Sequence, residues 1–151
     1  MEASVVAVCI SENKGEQKKP IDSALLKENH GIVGDAHAGD WDRQVSLLAE
    51  ESIDTMRAKG LSLGSGDFAE NIVTRGVALT ALPIGSRLIL GETLLEITRI
   101  GKECHSRCAI YYQAGDCVMP REGIFARVLK GGVVRAGDRI QLQAGGREST
   151  N

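Results

Sequence analysis

Cys104, His105, Cys108 and Cys117 stand close together in a chain that has only four cysteines. Cationic residues surround them: Lys102, Arg107 and Arg121. A free thiol ionises near ~8.5, and nearby positive charge lowers that value. The thiolate is both the nucleophile and the soft-metal ligand, so this setting favours chemistry over inert burial. Three readings are open. One thiol carries sulfur or acts as a nucleophile, with persulfide an accessible reversible state. Alternatively, Cys104, His105, Cys108 and Cys117 hold zinc, although adjacent Cys-His ligands are awkward and no second knuckle is present. Or the thiols are simply buried. A Cys104–Cys108 redox pair lacks the Cys-x-x-Cys spacing. The fourth cysteine, Cys9, sits in the apolar run Val5 to Ile10 and reads as a small buried hydrophobe.

A second cluster lies upstream, in Asn29-His30-Gly31-Ile32-Val33-Gly34-Asp35-Ala36-His37-Ala38-Gly39. Its glycines let backbone N–H groups approach a ligand. His37 has no core to fill there and is a candidate to bind an anion, hold a thiol or ligate a metal. Asp35 serves either a ligand or the backbone donors of a polar turn. Arg43 suits a forked contact with phosphate or carboxylate, and Gln44 lies beside it ahead of an apolar strand. In Gly66-Asp67-Phe68-Ala69-Glu70-Asn71, Asn71 either points into a pocket or satisfies a turn.

The elements that must position these groups are mostly strands. Ser4 to Ser11 reads as a strand, and Glu12 to Lys19 as a polar loop closed by Pro20. Ala49 to Lys59 is the expected helix, with Glu50-Glu51 at its start, Ile53 and Met56 on one face and Gly60 as its stop. Phe68 to Val73 is read as a strand. Ser86 to Leu90 and Thr93 to Ile100 form a hairpin around Gly91-Glu92. Ile124 to Leu129 is a further strand, ended by Lys130-Gly131-Gly132, and Asp138 to Leu142 is the last. The thiol segment follows a strand and is expected at a barrel mouth. Eighteen glycines and many short strands favour a mainly β, closed or partly closed barrel with one or two helices.

Composition bounds the partners. The chain has 151 residues, 42% of them apolar, which fits one domain over residues 1–144 with a frayed tail at 145–151. A net charge of −2 excludes a general polycationic surface for nucleic acid. No run is apolar enough to span a membrane, and the amino terminus lacks the basic start of a signal peptide, so the expected compartment is the cytoplasm.

Taken in order, these pieces resemble the MOSC domain, the module found at the carboxy end of molybdenum cofactor sulfurases and as stand-alone bacterial proteins. The matching residues are Gly34-Asp35-Ala36-His37, Arg43-Gln44-Val45-Ser46-Leu47, Gly66 to Ile72, Leu82-Pro83-Ile84-Gly85-Ser86, the Cys108 region, Arg121 to Val128 and Gly131 to Asp138. Together they run from about Val5 to Leu142. The resemblance implies a barrel like that of pyruvate kinase and a role with the molybdenum cofactor (molybdopterin). It implies a cysteine that carries sulfur or contacts the metal, Cys108 first and Cys104 as the alternative, since relatives have Pro-Cys where this chain has Arg107-Cys108. Asp35, His37, Arg43, Gln44, Asn71, Lys102, Arg107 and Arg121 are the implied cofactor-binding set. The chain has no room for a PLP-dependent desulfurase domain, so sulfur would come from a partner cysteine desulfurase. The other expected partners are cofactor-biosynthesis proteins or molybdoenzymes.

Overall fold

A computed structural model describes residues 3–14, 16–101 and 122–143. The first strand, β1 (Ala3–Ile10), shows how side chains are divided between two apolar layers. A strict period of two would place Val5 and Val8 on opposite faces. A β-bulge between Val5 and Ala7 shifts the register, so Val5 and Val8 both point inward while Ala7 and Cys9 point outward.

The remaining strands are β2 (Lys19–Ile21), β3 (Ser23–Lys27), β4 (Gly31–Ile32), β5 (Val45–Ala49), β6 (Ile72–Arg75), β7 (Arg87–Leu90), β8 (Thr93–Ile100), β9 (Ile124–Lys130), β10 (Gly132–Arg135) and β11 (Arg139–Leu142). Seven of them close a barrel in the order β11-β7-β8-β9-β5-β6-β1, with β1 pairing back to β11. Strand β2 extends the wall beside β1, and β10, β3 and β4 form a separate small sheet. Closure removes the unpaired edges that an open sheet would expose. The interior is filled by aliphatic side chains, among them Leu47, Ile72, Leu88, Leu95, Ile97, Ile124 and Val128. A second cluster lies outside the wall and joins Ala7, Cys9, Leu48, Val73 and Phe125 to Ile53, Met56 and Phe68.

Ile53 and Met56 belong to α1 (Glu50–Arg57), which connects β5 to β6 and makes that pair parallel. No side chain caps its start, but Glu50 and Glu51 sit in the first turn, where the helix dipole favours negative charge. Arg75 on β6 reaches back to Glu50 and Asp54 at 2.8 and 2.9 Å, tying helix to wall. No helix among the described residues is long and apolar enough to cross a membrane.

The helix and the β7–β8 hairpin match the sequence reading closely. Three elements differ. The strand expected at Phe68 begins only at Ile72, because Gly66 and Ala69 both take left-handed backbone and fold 66–71 into a tight turn. Strand β9 ends at Lys130 as read, but after Gly131 the chain resumes as the unexpected β10, which pairs with β3, a short strand whose Ala24 and Leu26 alone face inward. The loop 29–42 contains the two-residue β4, which pairs with β3. The tail 145–151 and the thiol segment 102–121 lie outside the described residues.

Candidate functional site

The barrel interior is packed, so the candidate site lies on the outer wall. Ser46 on β5 is paired directly with Phe125 on β9, and both side chains face outward beside the second apolar cluster. Asn71, just before β6, completes the floor. Its Oδ1 accepts from the Ser46 amide and hydroxyl at 2.9 and 3.2 Å, and its Nδ2 donates to the Cys9 carbonyl at 3.0 Å. Asn71 thus clasps β1 to β5 and also lines the cleft above, its side chain serving two strands and not a turn. That cleft, about 200 Å³, is lined by Lys14, His37, Trp41, Arg43, Ser46, Ala69, Asn71 and Phe125.

The upper rim is cationic and aromatic. The Arg43 guanidinium lies 5.8 Å from the Trp41 ring centre and 5.6 Å from that of Phe125, within cation–π range of both. Lys14 Nζ lies over the Trp41 ring, 4.8 Å from its centre. The Trp41 indole N–H donates to the His37 carbonyl at 2.8 Å, and the two rings are parallel within 4°. The Thr98 hydroxyl donates to the Asp42 carbonyl, and Arg99 pairs with the Asp42 carboxylate at 3.5 Å, which anchors the 41–43 loop on the end of β8.

Beneath His37 is a fully buried ion pair that the sequence reading missed. Lys18 Nζ donates to Asp35 Oδ1 at 2.8 Å and to Ser11 Oγ at 3.0 Å, and it lies 3.0 Å from His37 Nδ1. Asp35 also accepts from the backbone N–H groups of Ser11 and His37, each at 3.1 Å. Burial works against an ionised Asp35, but the Lys18 contact and these amide donors outweigh it and hold the carboxyl below its usual value. Asp35 is therefore committed to internal partners and acts by placing His37. No local pattern around Lys18 could have revealed this, because its partners come from positions 11, 35 and 37.

Glu70 is the other buried acid. Its carboxylate accepts from the Gly66 and Phe68 amides at 2.7 and 2.9 Å and staples the turn that carries Ala69 and Asn71 to the cleft. Burial pushes its carboxyl up to about 7, against the opposing effect of those amides. Gly66 is required in this turn, since a Cβ there would lie 2.0 Å from the Lys18 carbonyl oxygen. Cys9 is buried, and burial with the nearby Glu70 charge pushes its thiol up to about 12, so it is the inert packing group expected.

Gln44 does not join the site. It is buried, its Oε1 accepts from the Val128 amide at 2.9 Å, and its Nε2 donates to Asn29 at 2.9 Å. The expectation that it touches a ligand gives way to a structural role: from the bend just before β5, its side chain turns into the wall. Of the cofactor-binding set, the fold brings together His37, Arg43 and Asn71, with Asp35 behind them. Lys14 and Trp41 join them unforeseen, since neither stands in a motif. Cys104, His105, Cys108, Cys117, Lys102, Arg107 and Arg121 lie outside the described residues. The ends of their segment are placed, however. The Gly101 amide donates to the Gly123 carbonyl at 2.7 Å and Ile100 pairs with Ile124, one residue from Phe125 in the cleft floor. Among the described residues, no group of three or more His, Cys, Asp or Glu side chains could hold a metal ion.

Comparison with known proteins places this fold. It is similar to that of YuaD from Bacillus subtilis, with a TM-score of 0.76 at 21% identity over 93% of this chain and 94% of that one. YiiM from Geobacillus stearothermophilus gives a TM-score of 0.70 at 16% identity, over 93% and 75% of the two chains. YiiM from Escherichia coli gives 0.67 at 19% identity, over 95% and 70%. No curated protein matches the chain. The MOSC domain model matches residues 34–141. Since that match spans well over half of the chain, the protein belongs to the MOSC domain family.

Proposed function

We propose that the outer-wall cleft binds the molybdenum cofactor and that a cysteine of the 102–121 segment works on it, Cys108 first and Cys104 as the alternative. The family carries the general association with this cofactor. One observation carries the reading to particular residues. A cleft combining two cations with indole, phenyl and imidazole rings lies one residue from where the thiol-bearing segment is rooted.

The donor set fits such a group. Lys14 and Arg43 supply positive charge for the phosphate, by charge-assisted hydrogen bonds. Trp41 and Phe125 offer faces for a flat heterocycle. Asn71 and His37 supply orienting polar groups. Lys102, Arg107 and Arg121 add charge beside the thiols in the sequence. When bound, the cofactor supplies a soft metal–sulfur centre, for which a thiolate is the matching protein ligand. The chain's own part is to hold the phosphate, to orient the ligand against the wall, and to offer a thiol that carries sulfane sulfur as a persulfide. That sulfur comes from a partner cysteine desulfurase and goes on to a cofactor-biosynthesis protein or molybdoenzyme.

The test mixes purified protein with free cofactor and follows Trp41, the only tryptophan of the chain, by fluorescence. Arg43→Ala should weaken binding about tenfold, the usual effect of losing a contact to a charged group. Mass spectrometry after incubation with a desulfurase and cysteine should show one added sulfur, lost in Cys108→Ser or Cys104→Ser. If both cysteine variants bind cofactor and pass on sulfur like the parent, the thiol mechanism is wrong.

A further inference from the structure

His37 lines the cleft, and its ring can act there in three ways: as a hydrogen-bond donor, as an acceptor or as a metal ligand. The buried ion pair beneath it decides among them. An ammonium has three N–H donors and no lone pair. Those of Lys18 meet Asp35 Oδ1 at 2.8 Å, Ser11 Oγ at 3.0 Å and His37 Nδ1 at 3.0 Å, so each donor has one acceptor. The Lys18 and Asp35 side chains are both 0% exposed, so no water competes for these bonds. In its 2.8 Å ion pair with Asp35, the ammonium has no lone pair with which to accept from the ring.

Nδ1 must therefore present its lone pair to Lys18. The tautomer protonated at Nδ1 would set donor against donor. The imidazolium would do the same and add a second positive charge at that distance. A ring turned by 180° would put a C–H against the ammonium. The backbone fixes the ring's position too, because Asp35 Oδ2 accepts from the His37 amide at 3.1 Å.

We propose that the Lys18–Asp35 pair locks His37 as the neutral tautomer with its proton on Nε2, so that the ring serves the cleft as a hydrogen-bond donor to an oxyanion and not as a metal ligand. The ligand half of this inference rests on the reading of the cleft given above. The ligand chemistry is an anionic oxygen, either of a phosphate ester or of a metal oxide group. A metal-binding histidine ordinarily turns its second nitrogen, protonated, toward a carboxylate or carbonyl acceptor. His37 has the reverse arrangement, with its second nitrogen facing a cation. Lys18 and Asp35 are positioning residues, since all three lysine donors are spent inside the protein.

The tautomer is read on the intact, unliganded, 15N-labelled chain by long-range 1H–15N correlation, with His37 assigned by the signals lost in His37→Gln. The expected spectrum shows Nδ1 without a proton and Nε2 with one. A proton on Nδ1, or an even mixture of tautomers, overturns the lock. Lys18→Met should then yield that mixture, and the parent spectrum decides the matter even where this variant fails to fold. The ligand half is read by Trp41 fluorescence with inorganic phosphate and, separately, molybdate. His37→Ala should weaken the preferred anion about tenfold or more. His37→Gln, whose amide N–H takes the place of Nε2–H, should restore part of that loss. His37→Asn, whose amide sits at the Nδ1 position, should not. Preference for phosphate or molybdate separates the two oxygen sources. Zinc binding that is lost in His37→Ala would refute the exclusion of metal. If the parent binds neither anion, the cleft reading and the donor role fail together, while the lock is still judged by its spectrum.

Discussion

Glu70 gives a pH dependence with a definite sign. Its carboxyl is buried and its value rises from the ordinary 4.5 to about 7 in the folded protein. In the unfolded chain it ionises at its ordinary value. Between the two the folded state holds a proton that the unfolded state has lost, so stability falls as pH rises through that interval and levels off above about 7. Each pH unit there is worth about 1.4 kcal/mol, so the whole interval amounts to about 3 kcal/mol for a group so thoroughly withdrawn from water. Glu70→Gln keeps the shape and removes the titration. Its amide nitrogen faces one of the Gly66 and Phe68 donors, so the variant starts with a fixed deficit of about 1–3 kcal/mol. The informative quantity is how the difference between parent and variant changes with pH, because other titrating groups cancel in it. Urea unfolding of both proteins from pH 5 to 8 measures this. The parent's advantage should shrink by about 2.5 kcal/mol across the window. A difference that stays constant would show that the two amide donors, and not burial, govern this carboxylate, and would refute the reasoning.

Three other outcomes follow from the same geometry. Asp35→Asn leaves the Lys18 ammonium buried without its counter-charge and should cost about 3–5 kcal/mol at neutral pH, read by urea unfolding. That loss should narrow in acid, because the lowered Asp35 carboxyl stabilises the fold above its usual range and gives up this contribution as pH falls through its folded value. Gly66→Ala should lower the melting temperature sharply, since its Cβ meets main chain at 2.0 Å, whereas Ala69→Gly should raise stability by up to about 1 kcal/mol by relieving a φ of 66°. Cys9 should resist a thiol-specific reagent in the native protein at pH 8 and react once urea unfolds the chain, as its buried thiol at about 12 requires.

The wall of the barrel was legible in the sequence where side chains alternate without interruption. Arg87 to Leu90 and Thr93 to Ile100 read correctly because each inward residue is a leucine, isoleucine or threonine at period two, and Gly91-Glu92 marks the turn. The helix was legible because Ile53 and Met56 both face the wall and Glu50-Glu51 mark its start. Legibility failed where the backbone, not the side-chain pattern, sets the structure. The run Phe68 to Val73 looks like one apolar strand, yet Phe68 packs on the outer cluster from within a turn that left-handed Gly66 and Ala69 create. Strand β3 was missed because Leu25 faces solvent while Leu26 is buried, so the sequence shows neither clean alternation nor a buried run.

The site shows the same division in sharper form. His37, Arg43 and Asn71 stood out because each is a polar group with no core to fill or a place in an ordered motif. Lys18 did not, since a lysine in a polar loop is ordinarily a solvated charge. It is buried here because three acceptors, one from position 11 and two from the 35–37 loop, converge on its three donors. On the assignment proposed above, that convergence fixes which nitrogen of His37 bears the proton, a property that His37 and its sequence neighbours alone could not fix. Gln44 is the opposite case. It adjoins Arg43 in the motif, but both residues lie in the turn that leads into β5, where their side chains part in different directions. Arg43 therefore reaches the outer rings while Gln44 ties Val128 to Asn29 within the wall. A contiguous motif can thus send one residue to the cleft and its neighbour into the fold.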